Sequence, residues 1–406
     1  MQDRLVSTPS PSDQDQSLPV IQEKWYYPQE IANDLDGVDI PERIKQEIYA
    51  CAWEYVRCVV PQYTNWNRYI ATIRVIIIAV IAEFKGSMVQ VAATDDVLGY
   101  NLSTVLAQLF KGTRVHAEMA RELRCCLLFT GDKASSRREG LLFQRYVTAL
   151  AQSPRQWFRM RGTDALLRFT IAAALACNDL NDCWLTEEQS ELLSELGCTL
   201  YDSIAFFKHR SEGETNSKFA YVPPRVRIKA FHQCRQLLWA LDVAWVGRPE
   251  HLVITNFLRF SGGPIHMMVR RYRFVEDGMT IGHPDNSSIM KKARQCSNLW
   301  GHRDTRCTEA SRVEDVERYK DVISRSAELM FEGLSEILES SDVIKCQQCQ
   351  DNQSHEDPSY GFGGVRLCAK CQDEWTAYVS TFPDRFANVF PEVKNMMLSQ
   401  TNVPPL

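Results

Sequence analysis

Residues 67–85, NRYIATIRVIIIAVIAEFK, decide the fold. Apolar side chains fall on nearly every side of a helix built from this stretch, and such a helix lies at the centre of a bundle. Gly86 follows as a stop signal. The longest apolar run, residues 75–82, has eight residues, whereas a membrane span needs about 20. We therefore expect a buried helix and a protein that does not span a membrane.

Helical patterns continue on both sides of this stretch. Residues 41–60 have apolar side chains at helical spacing, with Pro41 in the first turn and Pro61 as the stop. No strand alternation and no internal repeat occur in residues 25–340, so the sequence predicts an all-α fold. The other predicted helices cover 101–110, 115–130, 138–152, 164–177, 187–210, 225–246, 251–261, 263–277 and 313–339. The helix at 187–210 opens with a capping box, Thr186 to Gln189.

The composition is that of an ordinary globular protein. The chain has 406 residues, of which 45% are hydrophobic and 24% charged, with a net charge of −5. That charge argues against sequence-blind nucleic-acid binding, which needs a basic surface. The 14 cysteines fit a reducing compartment. The N-terminus has no basic–apolar–small signal pattern, and we expect a cytoplasmic protein.

We predict three parts along the chain. Residues 1–24 are rich in Ser, Pro, Asp and Gln and form a disordered tail. Residues 25–340 form the helical domain. The composition shifts near Ser340, and we expect residues 341–406 to form a zinc-binding C-terminal module and tail.

Four cysteines predict the zinc site. Cys346 and Cys349 form one C-x-x-C pair, Cys368 and Cys371 form the other, and 18 residues separate the pairs. This spacing is typical of a tetrahedral Zn²⁺ bound by four thiolates. Such a site has no open position, so its role would be structural. The alternative is four unrelated buried cysteines.

Residues 201–216, YDSIAFFKHRSEGETN, resemble the second metal motif of class I terpene synthases. In that family an Asn-Asp pair, a Ser four residues after the Asn and a Glu four residues later bind magnesium. The positions retained from the motif are Asp202, Lys208, Gly213 and Glu214. The three ligand positions, which share one helix face, hold Tyr201, Ala205 and His209. The resemblance indicates diphosphate chemistry with altered metal binding.

One acid occupies the upstream region where that family has an aspartate-rich motif. Glu83 lies at the end of the apolar helix, 119 residues before Asp202. It is a candidate ligand of Mg²⁺, although a helix-terminal surface acid is the alternative. Asp179 and Asp182 in CNDLNDCW mimic an Asp-rich pattern. Their position along the chain favours a loop between two helices, and both assignments stay open.

Basic residues are candidates for binding the diphosphate. Arg159 and Arg161 precede Asp202 by 43 and 41 residues, and we expect them at the start of the helix at 164–177, where backbone amides favour anions. Arg271-Tyr272 resembles the Arg-Tyr pair that closes on diphosphate in class I terpene synthases. The alternative for any one arginine is a surface helix face with snorkelling side chains.

His209 is an unusual occupant of a magnesium-ligand position. Magnesium prefers oxygen ligands, so a histidine there indicates either a lost metal contact or a role in proton transfer.

Beyond these motifs, nearly everything after residue 24 resembles one narrow group, the fungal α-ionylideneethane synthases of abscisic acid biosynthesis. The segments that carry this resemblance are KWYYPQEIANDL, ACAWEYVRCVVPQYTNWNRY, IAEFKG, ALAQSPRQWFRMR, FFKHRSEGETNS, GGPIHMMVRRYRFVE and the C-x-x-C pairs with FGGVRLC between them. The resemblance implies a class I terpene-synthase-like helical bundle that acts on farnesyl diphosphate with a divalent cation. It also implies neutral triene intermediates that are protonated again before they cyclise.

The resemblance assigns expected roles to individual residues. Glu83 and Asp202 would bind Mg²⁺ and take part in catalysis, and Glu83 or His209 would transfer protons. The expected diphosphate-binding residues are Arg159, Arg161, Lys208, Arg271 and Tyr272. The competing hypothesis is a non-catalytic helical scaffold that presents the zinc module to a partner. A helical phosphohydrolase is a third, but its usual His-Asp ligand sets are missing.

Overall fold

The computed structural model describes residues 25–150, 152–212, 222–263, 265, 311–342, 346 and 367–394. Within these ranges the side chains of residues 139, 207–212, 224, 311–313 and 342 are not described. The fold is all-α, as predicted. One two-residue hairpin, β1 (Asp96–Val97) with β2 (Tyr100–Asn101), is the exception among the described residues. Among the described helices, none is both long and apolar enough to cross a membrane.

The described helices follow the predicted order, while the predicted helix at 263–277 lies almost entirely outside the described residues. The first ten are α1 (Glu42–Val59), α2 (Trp66–Phe84), α3 (Leu102–Phe110), α4 (His116–Lys133), α5 (Leu141–Leu150), α6 (Pro154–Asp164), α7 (Leu167–Cys177), α8 (Glu187–Glu212), α9 (Pro224–Ala244) and α10 (Pro249–Ser261). The later ones are α11 (Ser311–Ser324), α12 (Ser326–Leu329), α13 (Leu334–Glu339), α14 (Ala369–Ser380) and α15 (Phe382–Val389).

Helix α2 lies at the centre, as its apolar pattern predicts. It packs against α1, α3, α4 and α7. Its buried side chains belong to one hydrophobic core that also takes in the described C-terminal helices. Asn65 caps its first turn by accepting a hydrogen bond from the backbone N–H of Arg68 at 3.1 Å.

The capping box at the start of α8 is confirmed. Thr186 donates its backbone N–H to Gln189 Oε1 at 3.0 Å, and the backbone N–H of Gln189 donates to Thr186 Oγ1 at 3.2 Å. These two bonds satisfy amide donors that a helix N-terminus leaves unpaired. The long helix α8 therefore begins at a fixed point, which also fixes the position of Asp202 four turns further on.

Two predicted helices differ from the structure. The predicted helix at 164–177 corresponds to α7, which begins at Leu167 after Leu166 adopts a left-handed φ of 52°. The prediction missed α6, which Ser153 caps and which has Pro154 in its first turn. Arg159 and Arg161 therefore lie inside α6, so the expectation that they sit at a helix N-terminus was wrong. The predicted helix at 313–339 is interrupted between α12 and α13, where Gly333 has a φ of 86°.

The sequence prediction also missed the C-terminal helices. Trp375 packs edge-on against Trp157 of α6 at 6.0 Å between ring centroids, and Phe390 packs against Trp245 at 5.8 Å. Arg385 forms two hydrogen bonds, of 2.6 and 2.8 Å, with the buried carboxylate of Glu195 in α8. The division of the chain near residue 340 stays a prediction, but α14 and α15 share the core of the bundle.

Candidate functional site

Charged side chains from the ends of several helices come together beside the buried core. We call the set Glu83, Lys133, Arg161, Asp164 and Asp202 the helix-end cluster. Glu83 ends α2, Lys133 ends α4, and Asp164 ends α6, with Arg161 one turn earlier. Asp202 comes from the second half of α8. The cluster thus contains both predicted magnesium ligands and one of the two predicted diphosphate-binding arginines of α6.

Arg161 is the centre of the cluster. Its Nη2 donates to Asp202 Oδ1 at 2.9 Å, and its Nε donates to Asp202 Oδ2 at 3.3 Å. Its Nη1 donates to Asp164 Oδ2 at 2.5 Å. Burial lowers the pKa of Arg161, but Asp202 and Asp164 outweigh it, so the pKa lies well above its ordinary value and the guanidinium is charged.

Asp202 is fully buried, and both of its oxygens accept hydrogen bonds from Arg161. A carboxylate in this position is neutralised by a planar cation that matches its geometry. The ring of Tyr201 lies 5.8 Å from the same guanidinium. In this arrangement Asp202 holds Arg161, and a metal ion could reach its oxygens only if Arg161 moved.

Lys133 and Glu83 complete the cluster around the thiol of Cys126. Lys133 Nζ lies 3.8 Å from Asp164 Oδ1. The pKa of the Cys126 thiol is raised, first by burial and then by Asp164, while Lys133 opposes the shift and Glu83 adds to it. Glu83, Lys133 and Asp164 are therefore within electrostatic reach of one buried atom. Glu83 is only partly buried, whereas Asp202 is fully buried.

A close backbone contact places the end of α2 against α4. A Cβ added to Gly86 would lie 2.1 Å from the carbonyl oxygen of Gly131. Only glycine allows this approach. Arg137 stabilises this contact between α2 and α4. Its Nη2 donates to the Gly86 carbonyl at 3.0 Å, and its Nε donates to Asp132 at 2.7 Å. Glu83 and Lys133 are brought to the same end of the bundle by this contact.

Arg159 belongs to a separate ion pair. It binds the buried carboxylate of Glu122 in α4, and its Nη1 donates to Thr163 Oγ1 at 2.7 Å. Thr163 in turn donates to Glu122 at 2.7 Å. The guanidinium also lies 3.8 Å from the centre of the Phe331 ring. The structure therefore places the two predicted diphosphate-binding arginines of α6 on different carboxylates.

The pKa of Glu122 reflects this pairing. Burial raises it, but the charges of Arg159 and Arg168 and the hydrogen bonds from Arg159 and Thr163 outweigh burial, so the pKa lies below its ordinary value of 4.5.

Beyond the Arg159–Glu122 pair lies a cleft of about 460 Å³ between α6, α8 and α15. Its arginines are matched by acids, including Arg155 with Glu191 at 3.0 Å, so it has no excess positive charge for a phosphate.

Asp179 lies at the other end of α2 from Glu83. It accepts hydrogen bonds from Asn65 at 3.0 Å and Arg68 at 3.2 Å, and both residues are near the start of α2. Helix α2 is 19 residues long, which is about 28 Å. The distance rules out a metal shared between Asp179 and Glu83 in this structure. Asp182 is exposed in the loop before α8.

Several predicted site residues lie outside what the structure describes. The backbone of Lys208 and His209 continues α8, but their side chains are not described. Arg271, Tyr272 and Cys349 lie outside the described residues altogether.

The sequence analysis missed Lys133 and Asp164. One signal was available for Asp164, because Arg161-x-x-Asp164 places an arginine and an acid on one helix face. Lys133 had no comparable signal, since it meets the cluster only through the packing of α4 against α2 and α6.

Three cysteines form a second candidate site at the start of α14. The thiol sulfurs of Cys346, Cys368 and Cys371 lie within 4.8 Å of one another, close enough to hold one metal ion. Cys346 Sγ and Cys368 Sγ are 3.6 Å apart. Cys368 is the N-cap of α14, so the C-x-x-C pair is shaped by the first turn of that helix.

The fold and the helix-end cluster define an all-α protein with acids and cations gathered at one end of its bundle. The comparisons with known proteins identify the family. A model of the family described as alpha-ionylideneethane synthase aba3 matches residues 23–392. The chain belongs to the alpha-ionylideneethane synthase family.

Curated relatives match along most of their length. Alpha-ionylideneethane synthase aba3 of Botryotinia fuckeliana (strain B05.10) is 55% identical over 374 residues, which is 92% of this chain and 84% of that protein. Alpha-ionylideneethane synthase abl3 of Leptosphaeria maculans (strain JN3) is 53% identical over 380 residues, 93% of this chain and 88% of that protein. Alpha-ionylideneethane synthase abl3 of Pyricularia oryzae (strain Y34) is 45% identical over 435 residues, 92% of this chain and 84% of that protein. These relatives are named synthases, which supports an enzyme over the non-catalytic scaffold.

Proposed function

We propose that this chain is a sesquiterpene synthase that converts farnesyl diphosphate into α-ionylideneethane. The observation that carries the proposal is the helix-end cluster, where acids and cations from four helices meet beside an apolar core. A terpene synthase needs cations that stabilise the leaving diphosphate and apolar walls that shelter the carbocation, and the cluster offers the cations. The product is the one in the names of the relatives.

Magnesium fits part of this donor set. Mg²⁺ takes oxygen ligands, usually from one or two carboxylates together with substrate phosphates. Glu83 offers a partly exposed carboxylate at a helix end, and we propose it as a ligand. Asp202 offers oxygens of the right chemistry, but it could bind the ion only after Arg161 exchanged it for another anion. The bound ion would neutralise charge on the leaving group.

Arg161 is our proposed principal diphosphate-binding residue in the cluster. Its fork of N–H donors matches a phosphate as well as it matches a carboxylate. A diphosphate arriving beside Arg161 would compete with Asp202 and Asp164 for the same donors. Arg159, Lys208, Arg271 and Tyr272 remain proposed contributors, and Arg159 would have to leave Glu122 to take part.

The proposed route passes through neutral trienes, so the enzyme must remove a proton and later return one. Glu83 is the proposed acid–base group, because it is a partly buried acid at the end of α2, and that end packs against α4. His209, in the third ligand position of the motif in α8, is the second candidate. His209→Ala should shift the product toward linear trienes, and an unchanged product would assign His209 a structural role.

At the other site we propose Zn²⁺ bound by Cys346, Cys349, Cys368 and Cys371. Three of these thiols already meet at the start of α14, and four thiolates suit a closed structural zinc site. The expected compartment is the cytoplasm.

One assay tests the proposed reaction. Purified protein is incubated with farnesyl diphosphate and Mg²⁺, and the extracted volatiles are analysed by gas chromatography and mass spectrometry. We expect α-ionylideneethane, and we expect none in a matched reaction with EDTA. The absence of any hydrocarbon product, or equal product with EDTA present, would refute the proposed metal-dependent synthesis.

A further inference from the structure

Helix α9 has an apolar face that points to solvent. Ile228, Trp239 and Val243 are exposed by 55%, 55% and 61%, and Val246, just beyond the end of the helix, is exposed by 74%. These four are among only seven large hydrophobic residues that are exposed in the described part of the chain. We call them the α9 face.

The spacing places the α9 face on one side of the helix. Ile228, Trp239 and Val243 are separated by 11 and 4 residues, close to whole numbers of helical turns. They lie on one line that runs about 22 Å along the helix. His232 and Arg235, both exposed, lie on the same line between Ile228 and Trp239, so the larger apolar part of the face is the one formed by Trp239, Val243 and Val246.

The opposite side of α9 packs against the core of the protein. Cys234, Leu237 and Leu241 are buried there, and α9 packs against α8, α10, α14 and α15. Substitutions on the α9 face therefore leave the core contacts in place, which makes the face suitable for experiment.

The border of the α9 face is basic. Arg225, Lys229, Arg235 and Arg248 are all exposed, and Arg235 lies 5.5 Å from the centre of the Trp239 ring. The one acid within the described helix, Asp242, is paired with Arg259 at 2.6 Å. A concentration of positive charge is notable in a chain whose net charge is −5.

We propose that the α9 face is a docking surface for an anionic lipid membrane. An exposed stripe with a tryptophan and aliphatic residues, bordered by arginine and lysine, is what a helix needs to lie in the membrane interface. The apolar side chains enter the boundary between headgroups and acyl chains, and the cations contact acidic headgroups. The inference concerns only this surface and does not rest on the proposed reaction.

A second copy of this chain fits the α9 face less well. A two-fold antiparallel pairing of α9 that brings Ile228 of one copy against Val246 of the other is centred near residue 237. The same pairing sets Arg225 of one copy against Arg248 of the other. The repulsion between these like charges opposes such a dimer. An anionic membrane surface attracts both arginines instead.

Vesicle flotation tests the proposal. The full-length protein is mixed with vesicles of phosphatidylcholine alone or of phosphatidylcholine with phosphatidylserine, and the bound fraction is measured at low and high salt. We expect binding to the mixed vesicles that weakens with salt. Trp239→Ser combined with Val243→Ser should reduce partitioning about tenfold or more. Arg225→Gln and Lys229→Gln should each reduce it about fivefold.

The matched control is Val316→Ser, since Val316 is an exposed valine on α11, and it should bind like the wild type. Thermal melts verify that each variant is folded. Absence of binding to the mixed vesicles, or equal binding by the Trp239→Ser/Val243→Ser variant, would overturn the proposal. So would a dimer in light scattering that the same variant abolishes, because the α9 face would then join two copies.

Discussion

At the scale of single residues, Glu83 carries the sharpest prediction. Glu83→Gln removes the charge with almost no change of size, and we expect turnover to fall about 10³-fold, as for the loss of an acid–base group. Its partly buried position at the end of α2 implies a thermal melt close to that of the wild type. The measurement is product formation from farnesyl diphosphate, with a melt of the same sample.

The control for Glu83 is Glu317→Gln, an exposed acid on α11, which should leave both turnover and the melt unchanged. Retained activity in Glu83→Gln would remove Glu83 from the proposed mechanism.

Asp202 gives a prediction that separates function from packing. Asp202→Asn leaves Arg161 without its bidentate partner in a buried position, and breaking such a pair costs about 3 kcal/mol of unfolding free energy. We also expect a loss of turnover below the melting temperature, because Arg161 would be misplaced for the diphosphate. Chemical denaturation and the product assay measure the two effects.

Glu195→Gln is the matched control, since it breaks another buried carboxylate–arginine pair of α8. It should lower stability by a similar amount and keep turnover in the folded protein. If Asp202→Asn behaves in the same way, Asp202 has a structural role only.

The ionisation of Glu122 makes the unfolding free energy of the protein depend on pH in the acidic range. Burial raises the pKa of Glu122, but Arg159 and Arg168 outweigh burial and bring the pKa below its ordinary value of 4.5. Its stabilising contribution is therefore complete above pH 4.5 and is lost as the pH falls through the lower pKa of the folded state. The Glu122→Gln variant cannot ionise at this position, so it should lose less stability than the wild type as the pH falls.

Denaturant unfolding of wild type and Glu122→Gln at a series of acidic pH values measures the effect. The two proteins should differ less in stability as the pH falls. A constant difference across this range would show that the pKa of Glu122 is not lowered in the folded state.

At the scale of elements, the contact between α2 and α4 determines where the site forms. Gly86→Ala would place a methyl group 2.1 Å from the carbonyl oxygen of Gly131. Backbone cannot move aside as a side chain does, so we expect a loss of about 3 kcal/mol or more in unfolding free energy. Turnover of the folded fraction should also fall, because the end of α2 carries Glu83.

Gly247→Ala is the control, since no atom lies within 4 Å of the added Cβ, and its stability should be close to that of the wild type. Denaturant unfolding of both variants measures their unfolding free energies. Equal stabilities would mean that α2 and α4 can separate without cost.

Element boundaries show the limit of sequence patterns. The apolar pattern of α2 and the capping box of α8 were sufficient to predict both helices. Helix α6 was not predicted, although Ser153 followed by Pro154 is a helix-start signal that the sequence offered. The helical spacing of Trp375, Val379, Phe382 and Phe386 could have predicted α14 and α15.

At the scale of the whole molecule, the zinc hypothesis predicts that the cysteine cluster anchors the C-terminal helices. Cys368→Ser should release bound zinc and lower the melting temperature, because Cys368 is the N-cap of α14 and that helix packs on α6 and α9. Elemental analysis of the purified protein and a thermal melt measure both effects.

Cys58→Ser, at a half-buried cysteine of α1, should keep the zinc content of the wild type. Purified wild-type protein without zinc, or Cys368→Ser with full zinc content, would contradict the four-cysteine site.

The sequence by itself determined the all-α class, the central helix and the residue types of the proposed sites, because helical periodicity and cysteine spacing are local properties of the chain. Tertiary structure decided how the charges are paired. Arg161 meets Asp202 across 41 residues, and Lys133 meets Asp164 across helix ends. Such pairings depend on which helix faces pack together, and burial then requires that each charge find a partner. The apolar helix 67–85 set the centre of the bundle, but only its contact with α4 placed Glu83 in the helix-end cluster.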